Sequence, residues 1–93
     1  MRNKNQYWKD YAYVIRGKQR LTVLKVINKP MTVTEIKKAT GLSLSEASIV
    51  IRGFAERKLA QCLNPKDALG RVYELTKEGK EIQKEVNLST QTK

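Results

Sequence analysis

Arg52 is the side chain of this sequence best equipped to read another molecule, because a guanidinium is a planar fork of five hydrogen-bond donors. Ser45, Ser48 and Ile49 precede it by seven, four and three positions, a spacing that puts all four side chains on one face of a helix. The chemistry of such a face is defined. The fork grips guanine O6 and N7 bidentately, the hydroxyls bond to bases or phosphates, and a branched apolar side chain fits a thymine methyl. Plainer readings stand beside it: Arg52 solvated or paired with Glu56 four residues on, and Ile49 partly buried beside Val50 and Ile51. Glu46 has the chemistry to accept from cytosine. As the third residue after Ser43, however, it reads better as half of a capping box.

The missing residue types exclude other chemistry. The 93 residues include no His and a single cysteine, Cys62. That removes an imidazole general base, a His-containing zinc site, a Cys–His nucleophile pair and any disulfide within the chain. No glycine-rich phosphate loop is present, and Asp10, Asp67 and the seven Glu residues read as surface or cap positions. An enzyme, a metal site and a cofactor are therefore not expected. The length allows one domain, and apolar residues at 40 % suffice for one small core. A chain of this size buries about 60–70 % of its unfolded surface, too little for a deep catalytic cavity.

Charge points outward instead. The net charge is +10, which favours a polyanionic partner, nucleic acid ahead of an acidic membrane surface. It is uneven: residues 1–29 carry a net +7, 30–58 a net +2, 59–75 zero and 76–93 a net +1. No apolar run approaches the roughly 18–20 residues of a membrane span. The first ten residues, MRNKNQYWKD, lack the apolar stretch of a secretory signal. With one unpaired cysteine, the expected location is cytoplasmic, with no membrane partner.

Elements must place Arg52 and its neighbours. Tyr7, Tyr11 and Val14 repeat at helical spacing, as do Trp8, Ala12 and Ile15, predicting a helix over about 5–15; the alternation Tyr11, Tyr13, Ile15 also suits a strand. Leu21, Leu24 and Ile27 form the stripe of a helix over about 18–28, ended by Pro30. Thr32–Glu35 and Ser43–Glu46 are capping boxes. The first opens a helix of about 33–40 with Val33, Ile36 and Ala39 inward. The second opens a helix of about 44–57 with Leu44, Ala47, Ile51 and Phe54 inward. Two helices joined by a tight turn at Gly41 make a helix-turn-helix. Leu59–Leu63 and Arg71–Leu75 read as strands, with turn residues Asn64–Gly70 between them. Thr76 then caps a helix of about 77–86, with Ile82 and Val86 on its inner face.

Three stretches carry a family likeness: RLTVLKVI (Arg20–Ile27), MTVTEIKKATGLSLSEASIVIRGFAERKLA (Met31–Ala60) and GRVYELTKEGKEI (Gly70–Ile82). On these the chain resembles the winged helix-turn-helix transcription regulators of the broad ArsR- and MarR-like group, particularly small archaeal members. The likeness covers about Gly17–Ile82, and its most specific piece is Tyr73-x-Leu75-Thr76-x-x-Gly79-Lys80. One departure stands out. The family pattern has a glycine before the leucine that opens the first wing strand, and here Lys58 precedes Leu59. The resemblance implies an α+β, mostly α fold: a winged helix-turn-helix with a two-stranded β-hairpin wing and flanking N- and C-terminal helices. It divides the chain into an aromatic, basic helix at 1–16, the winged domain at 17–86 and a flexible tail at 87–93. It also implies double-stranded DNA as partner, with the helix at about 44–57 in the major groove and the wing at 64–71 on an adjacent groove or backbone.

The remaining site residues follow from that geometry. Ser43, Ser45, Ser48, Ile49 and Arg52 become the recognition set, and Lys66 and Arg71 the wing contacts. Arg16, Lys18, Arg20 and Thr34 become phosphate contacts, expected to carry most of the affinity because one cation makes a sparse reading face. Surface charge alone is the plain reading of each. The aromatic stretch Tyr7–Tyr13 admits a homodimer interface of Tyr7, Trp8 and Tyr11 with Ile82 and Val86, packing within the chain, or stacking on unpaired bases. Gly53 lies inside a helix pattern, either for a close approach or as tolerated drift. Cys62 reads as a structural thiol rather than a redox sensor. The alternative function is a winged-helix protein-interaction module within a larger nucleic-acid-processing assembly, since fold alone does not fix activity.

Overall fold

The computed structural model describes residues 3–91. The first helix, α1 (Lys4–Ile15), settles the ambiguity at the N-terminus in favour of the helical period. Asn3 caps it by accepting from the Gln6 N–H at 2.8 Å. Tyr7, Tyr11 and Val14 turn inward, whereas Trp8 and Ile15 turn out to solvent. Their partner is the last helix, α5 (Lys77–Gln91): Tyr7 Oη donates to Glu85 Oε1, and Tyr11 Oη bonds Ser89 Oγ, both at 3.2 Å. Thus α5 runs five residues past the expected end at 86, because α1 lies along it and gives the extra turn something to pack on. Residues 87–91 of the expected flexible tail are helical, and 92–93 lie outside the described residues. No helix among the described residues is long and apolar enough to cross a membrane.

Between these helices lies the helix-turn-helix. The second helix, α2 (Lys18–Val26), ends two residues early. Its terminal carbonyls are satisfied from α5, where Gln83 Nε2 donates to Leu24 O at 2.8 Å and Ile27 O at 3.0 Å. Both predicted capping boxes are present, opening α3 (Val33–Thr40) and α4 (Leu44–Glu56). Gly41 closes α3 at φ 79°, a left-handed turn that glycine adopts without steric cost. The inward sets differ in two places. Ala39 is exposed, and half-buried Thr40 takes the inward place. Leu44 is 51 % exposed, while Ala47, Val50, Ile51 and Phe54 fill the core. Leu44 stands on the edge of the apolar stripe in the first turn of α4, beyond the last layer that the core can cover.

The sheet has three strands rather than the two of a simple hairpin: β1 (Met31–Thr32), β2 (Ala60–Cys62) and β3 (Val72–Leu75), in the order β1-β3-β2, all antiparallel. Pairing Met31 with Tyr73 ties the entry to α3 to the far strand of the wing. Two residues of sequence were too short to show the period of a strand.

The joint between α4 and β2 answers the departure at Lys58. Lys58 takes φ 63°, the left-handed conformation that the family glycine would supply. Lys58 N–H donates to Ala55 O and Leu59 N–H to Phe54 O, the paired bonds of a Schellman cap. Across from it, Thr76 Oγ1 donates to Lys58 O at 2.7 Å and accepts from Gly79 N–H. A Cβ on Gly79 would lie 2.0 Å from Leu59 O, so only glycine lets α5 approach this strand. Lys58→Gly should therefore raise stability by about 1 kcal/mol by removing the left-handed penalty. Gly79→Ala should lower it by about 1–3 kcal/mol through overpacking. Urea unfolding of both variants measures the two changes, and a destabilised Lys58→Gly would contradict this view of the joint.

Candidate nucleic-acid interface

Burying Ala47, Val50, Ile51 and Phe54 leaves the other side of α4 outward, carrying Ser45, Ser48, Ile49 and Arg52. These four expected residues do share one surface, with Leu44 beside them. Arg52 Nε lies 3.4 Å from Ser48 O, and no ion pair joins it to Glu56 among the described residues. Ser43 is the N-cap: its Oγ accepts from Glu46 N–H at 3.1 Å while its own N–H donates to Glu46 Oε1. The second oxygen of Glu46 accepts from Gln19 Nε2 at 2.8 Å. Hydrogen bonds from Ser43 hold the Glu46 carboxyl below its ordinary value. Glu46 is thus committed to capping, and it anchors α4 to α2.

The wing meets this surface from the side. Thr34, Leu44, Ser48, Arg52, Leu69, Arg71 and Tyr73 line one groove of about 340 Å³ between α4 and the hairpin loop. The expected contacts Thr34, Ser48, Arg52 and Arg71 therefore face a common space. Asn64 organises the loop. Its Oδ1 accepts from Val72 N–H at 2.7 Å, and its Nδ2 donates to Asp67 Oδ2 at 2.8 Å and Gly70 O at 3.1 Å. Half-buried Cys62 donates to the same Oδ1 at 3.7 Å. Arg71 Nε donates to Asp67 O at 2.7 Å, so Arg71 braces the loop as well as charging it. Lys66 is exposed, and at the tip Leu69 is 89 % exposed.

The three basic residues near the start of α2 divide between two places. Lys18 and Arg20 line a hollow with Gln19 and Ile49, beside the presented face of α4. Arg16 sits instead with Asn5, Trp8, Lys9 and Ala12 on the outer side of α1. Arg20 is half-buried, its guanidinium 4.1 Å from the centre of the Tyr13 ring, with that of Arg57 at 4.2 Å. Arg20 thus packs on Tyr13 while lining the same hollow as Lys18, and the packing is a role that its place in a basic run did not signal. Gly53 has its reason here too: a Cβ would stand 2.6 Å from Tyr13 Oη.

Asp10 corrects the expectation of a surface carboxylate. It is fully buried, accepting from Arg57 Nε at 3.0 Å and Gln6 Nε2 at 3.1 Å, and so pins α1 to the end of α4. Ile82 and Val86 also leave the expected dimer set, because both are buried in the core and have no surface to offer. Tyr7 and Tyr11 are half-buried against α5, and burial followed by the Glu85 charge pushes the Tyr7 hydroxyl above its ordinary value. Trp8 stays 47 % exposed, in edge-to-face contact with both tyrosines. Among the described residues no three His, Cys, Asp or Glu side chains come together as a metal site.

No protein-family model and no curated protein matches the chain. Solved structures do. A multiple antibiotic-resistance repressor (MarR) from Listeria monocytogenes superposes with TM-score 0.71 at 23 % identity, over 90 % of this chain and 60 % of that one. The reduced form of MarR from E. coli gives 0.74 at 20 % identity, over 96 % and 68 %. HlyU from Vibrio cholerae gives 0.72 at 18 % identity, over 98 % and 96 %. This chain thus spans about three fifths of the length of the Listeria repressor. At these identities the likeness is one of fold: the chain has the winged-helix architecture.

The site predicts two measurements. Glu46 has a folded value below the ordinary 4.5, so its stabilising contribution is complete above 4.5 and is lost as pH falls through the folded value. Glu46→Gln should flatten that part of the acid unfolding curve; an unchanged acid limb would count against it. Asn64→Ala should speed amide exchange at Val72 while leaving α4 protected, since it removes the wing's internal bonds and none of the helix's. Equal loss in both places would mean that the loop is not a separate unit.

Proposed function

We propose that this chain is a sequence-specific double-stranded DNA-binding transcription regulator that acts as a homodimer. The observation that carries the reading is the common groove in which Ser48 and Arg52 of α4 face Leu69 and Arg71 of the wing. A helix presenting short hydroxyls and one guanidinium enters a major groove, while the loop at its flank meets the adjacent groove or backbone. The likeness of fold to proteins titled MarR supports the same reading. Phosphates carry the affinity through Lys18, Arg20, Lys66, Arg71 and Thr34, with Arg16 further out on α1. Arg52 supplies most of the base discrimination. The dimer forms through the outer side of α1 and α5, where Trp8 and Leu88 are exposed beside Tyr11. A two-fold dimer sets the recognition helices about 34 Å apart on a pseudo-palindromic site.

Selection of bound sequences from a random duplex pool, followed by salt titration, tests this directly. Log affinity should fall steeply with log salt, and flat dependence or no binding at low salt would sink the reading. Lys18→Ala should weaken all sequences alike and reduce the salt slope by about one. Arg52→Ala should instead relax preference at one position, by about 1–3 kcal/mol. Light scattering should find a dimer that survives dilution and that Trp8→Ala weakens.

A further inference from the structure

We propose that α4 reads the C5-methyl groups of thymines in the major groove through Leu44 and Ile49, an inference that rests on the duplex-binding reading above. Leu44 is 51 % and Ile49 63 % exposed. At about 100° per residue they stand about 140° apart around the helix, one on each side of the strip formed by Ser48, Arg52 and Ser45. Leu44 shares the wing groove with Ser48 and Arg52, and Ile49 shares a second hollow with Lys18 and Gln19. The polar strip is therefore flanked by branched apolar side chains on both edges. The two serines are short, so Leu44 and Ile49 are the large apolar side chains at the two borders of this face.

The floor of a B-form major groove offers donors and acceptors on every base pair and one apolar group, the thymine methyl. A helix with two projecting apolar residues and one cation is matched to a site rich in such methyls, not to a run of guanines. Because the two side chains stand on opposite edges of the strip, the methyls they meet belong to different thymines of the site. Charge commits the face to DNA: the flanking Lys18, Arg20 and Arg71 are cations, and Glu46 is already held by Ser43 and Gln19.

The test replaces each thymine of a selected duplex in turn by deoxyuridine, which removes the methyl and leaves pairing and charge untouched. Wild-type affinity should fall about fourfold at each of two positions, the effect of losing one buried methyl, with an unchanged salt slope. Ile49→Ala should lose a similar factor on the thymine duplex and become indifferent to uracil at one position. Leu44→Ala should do the same at the other. Both residues are exposed, so the variants should fold, and circular dichroism checks this. Equal wild-type affinity for thymine and uracil duplexes overturns the inference while leaving DNA binding intact, and hands the two residues to a protein partner. Methyl losses that persist in both variants overturn the assignment to Leu44 and Ile49. Absence of binding to any duplex at low salt overturns the inference together with the reading beneath it.

Discussion

The position of the wing against α4 depends on the two-residue joint Lys58–Leu59. Leu59 is fully buried; its N–H closes the Schellman cap on Phe54 O, and its carbonyl accepts from Thr76 N–H. Lys58 O accepts from Thr76 Oγ1, and Gly79 presses against Leu59 O. One pair of peptide units thus ends α4, starts β2, and receives both the end of β3 and the first turn of α5. Because each backbone group already has a partner, the joint has little freedom to relax. The wing therefore keeps a fixed angle to the helix whose face it flanks. This is also the physical content of the Tyr-x-Leu-Thr-x-x-Gly pattern: Tyr73 and Leu75 fill the core, Thr76 caps, and Gly79 permits contact.

A second clamp secures the N-terminal helix. Asp10, buried under α1, accepts from Arg57 at the C-cap of α4, and the guanidinium of Arg57 also packs on the Tyr13 ring, as does that of Arg20. A buried carboxylate is tolerable when a guanidinium and an amide satisfy it. The consequence for the charge is direct. Of the basic residues before Pro30, Arg16 faces the outer side of α1, whereas Lys18 and Arg20 line the hollow beside α4, Arg20 stacking on Tyr13 at the same time. Among the described residues of that segment, Lys9 and Arg16 lie on the outer side of α1 and Lys18 and Arg20 in the hollow beside α4, so the charge is divided between two surfaces. On the proposed function, such a division suits a general field for polyanions, with a few cations at the groove setting the pose.

Most of the fold was legible because its signals are local. Both capping boxes, the glycine turn and the threonine cap of α5 each depend on residues within four positions of one another, and the turn residues of the hairpin lie within a run of seven. What escaped was non-local. Strand β1 exists because Met31 finds Tyr73, not because two residues have a pattern. Asp10 is buried because a helix from elsewhere brings it Arg57. Ile82 and Val86 had an inward period, and the same observation that placed them in the core disqualified them as an interface. In the candidate site, Ser45, Ser48, Ile49 and Arg52 followed from spacing alone. Leu44 did not, because periodicity gives the angle around a helix and not where along it the core stops.

That distinction bears on how a small domain can present apolar side chains at a working face. Leu44, Ile49 and Leu69 are large and exposed, and a continuous patch of them would invite self-association. Here Ser45, Ser48 and Arg52 stand between Leu44 and Ile49, while Leu69 shares the wing groove with Leu44 and with Ser48, Arg52 and Arg71, on a loop held by Asn64. Net charge of +10 adds repulsion between copies. On the proposed function, the same charge is relieved when a duplex binds, and the inferred apolar contacts then form in a desolvated groove where one cation suffices for direction. A face with more lysines would bind every duplex more tightly and distinguish them less, since phosphate contacts carry no sequence. Sparse charge on α4 is therefore consistent with selectivity, provided that affinity is supplied by the rest of the molecule.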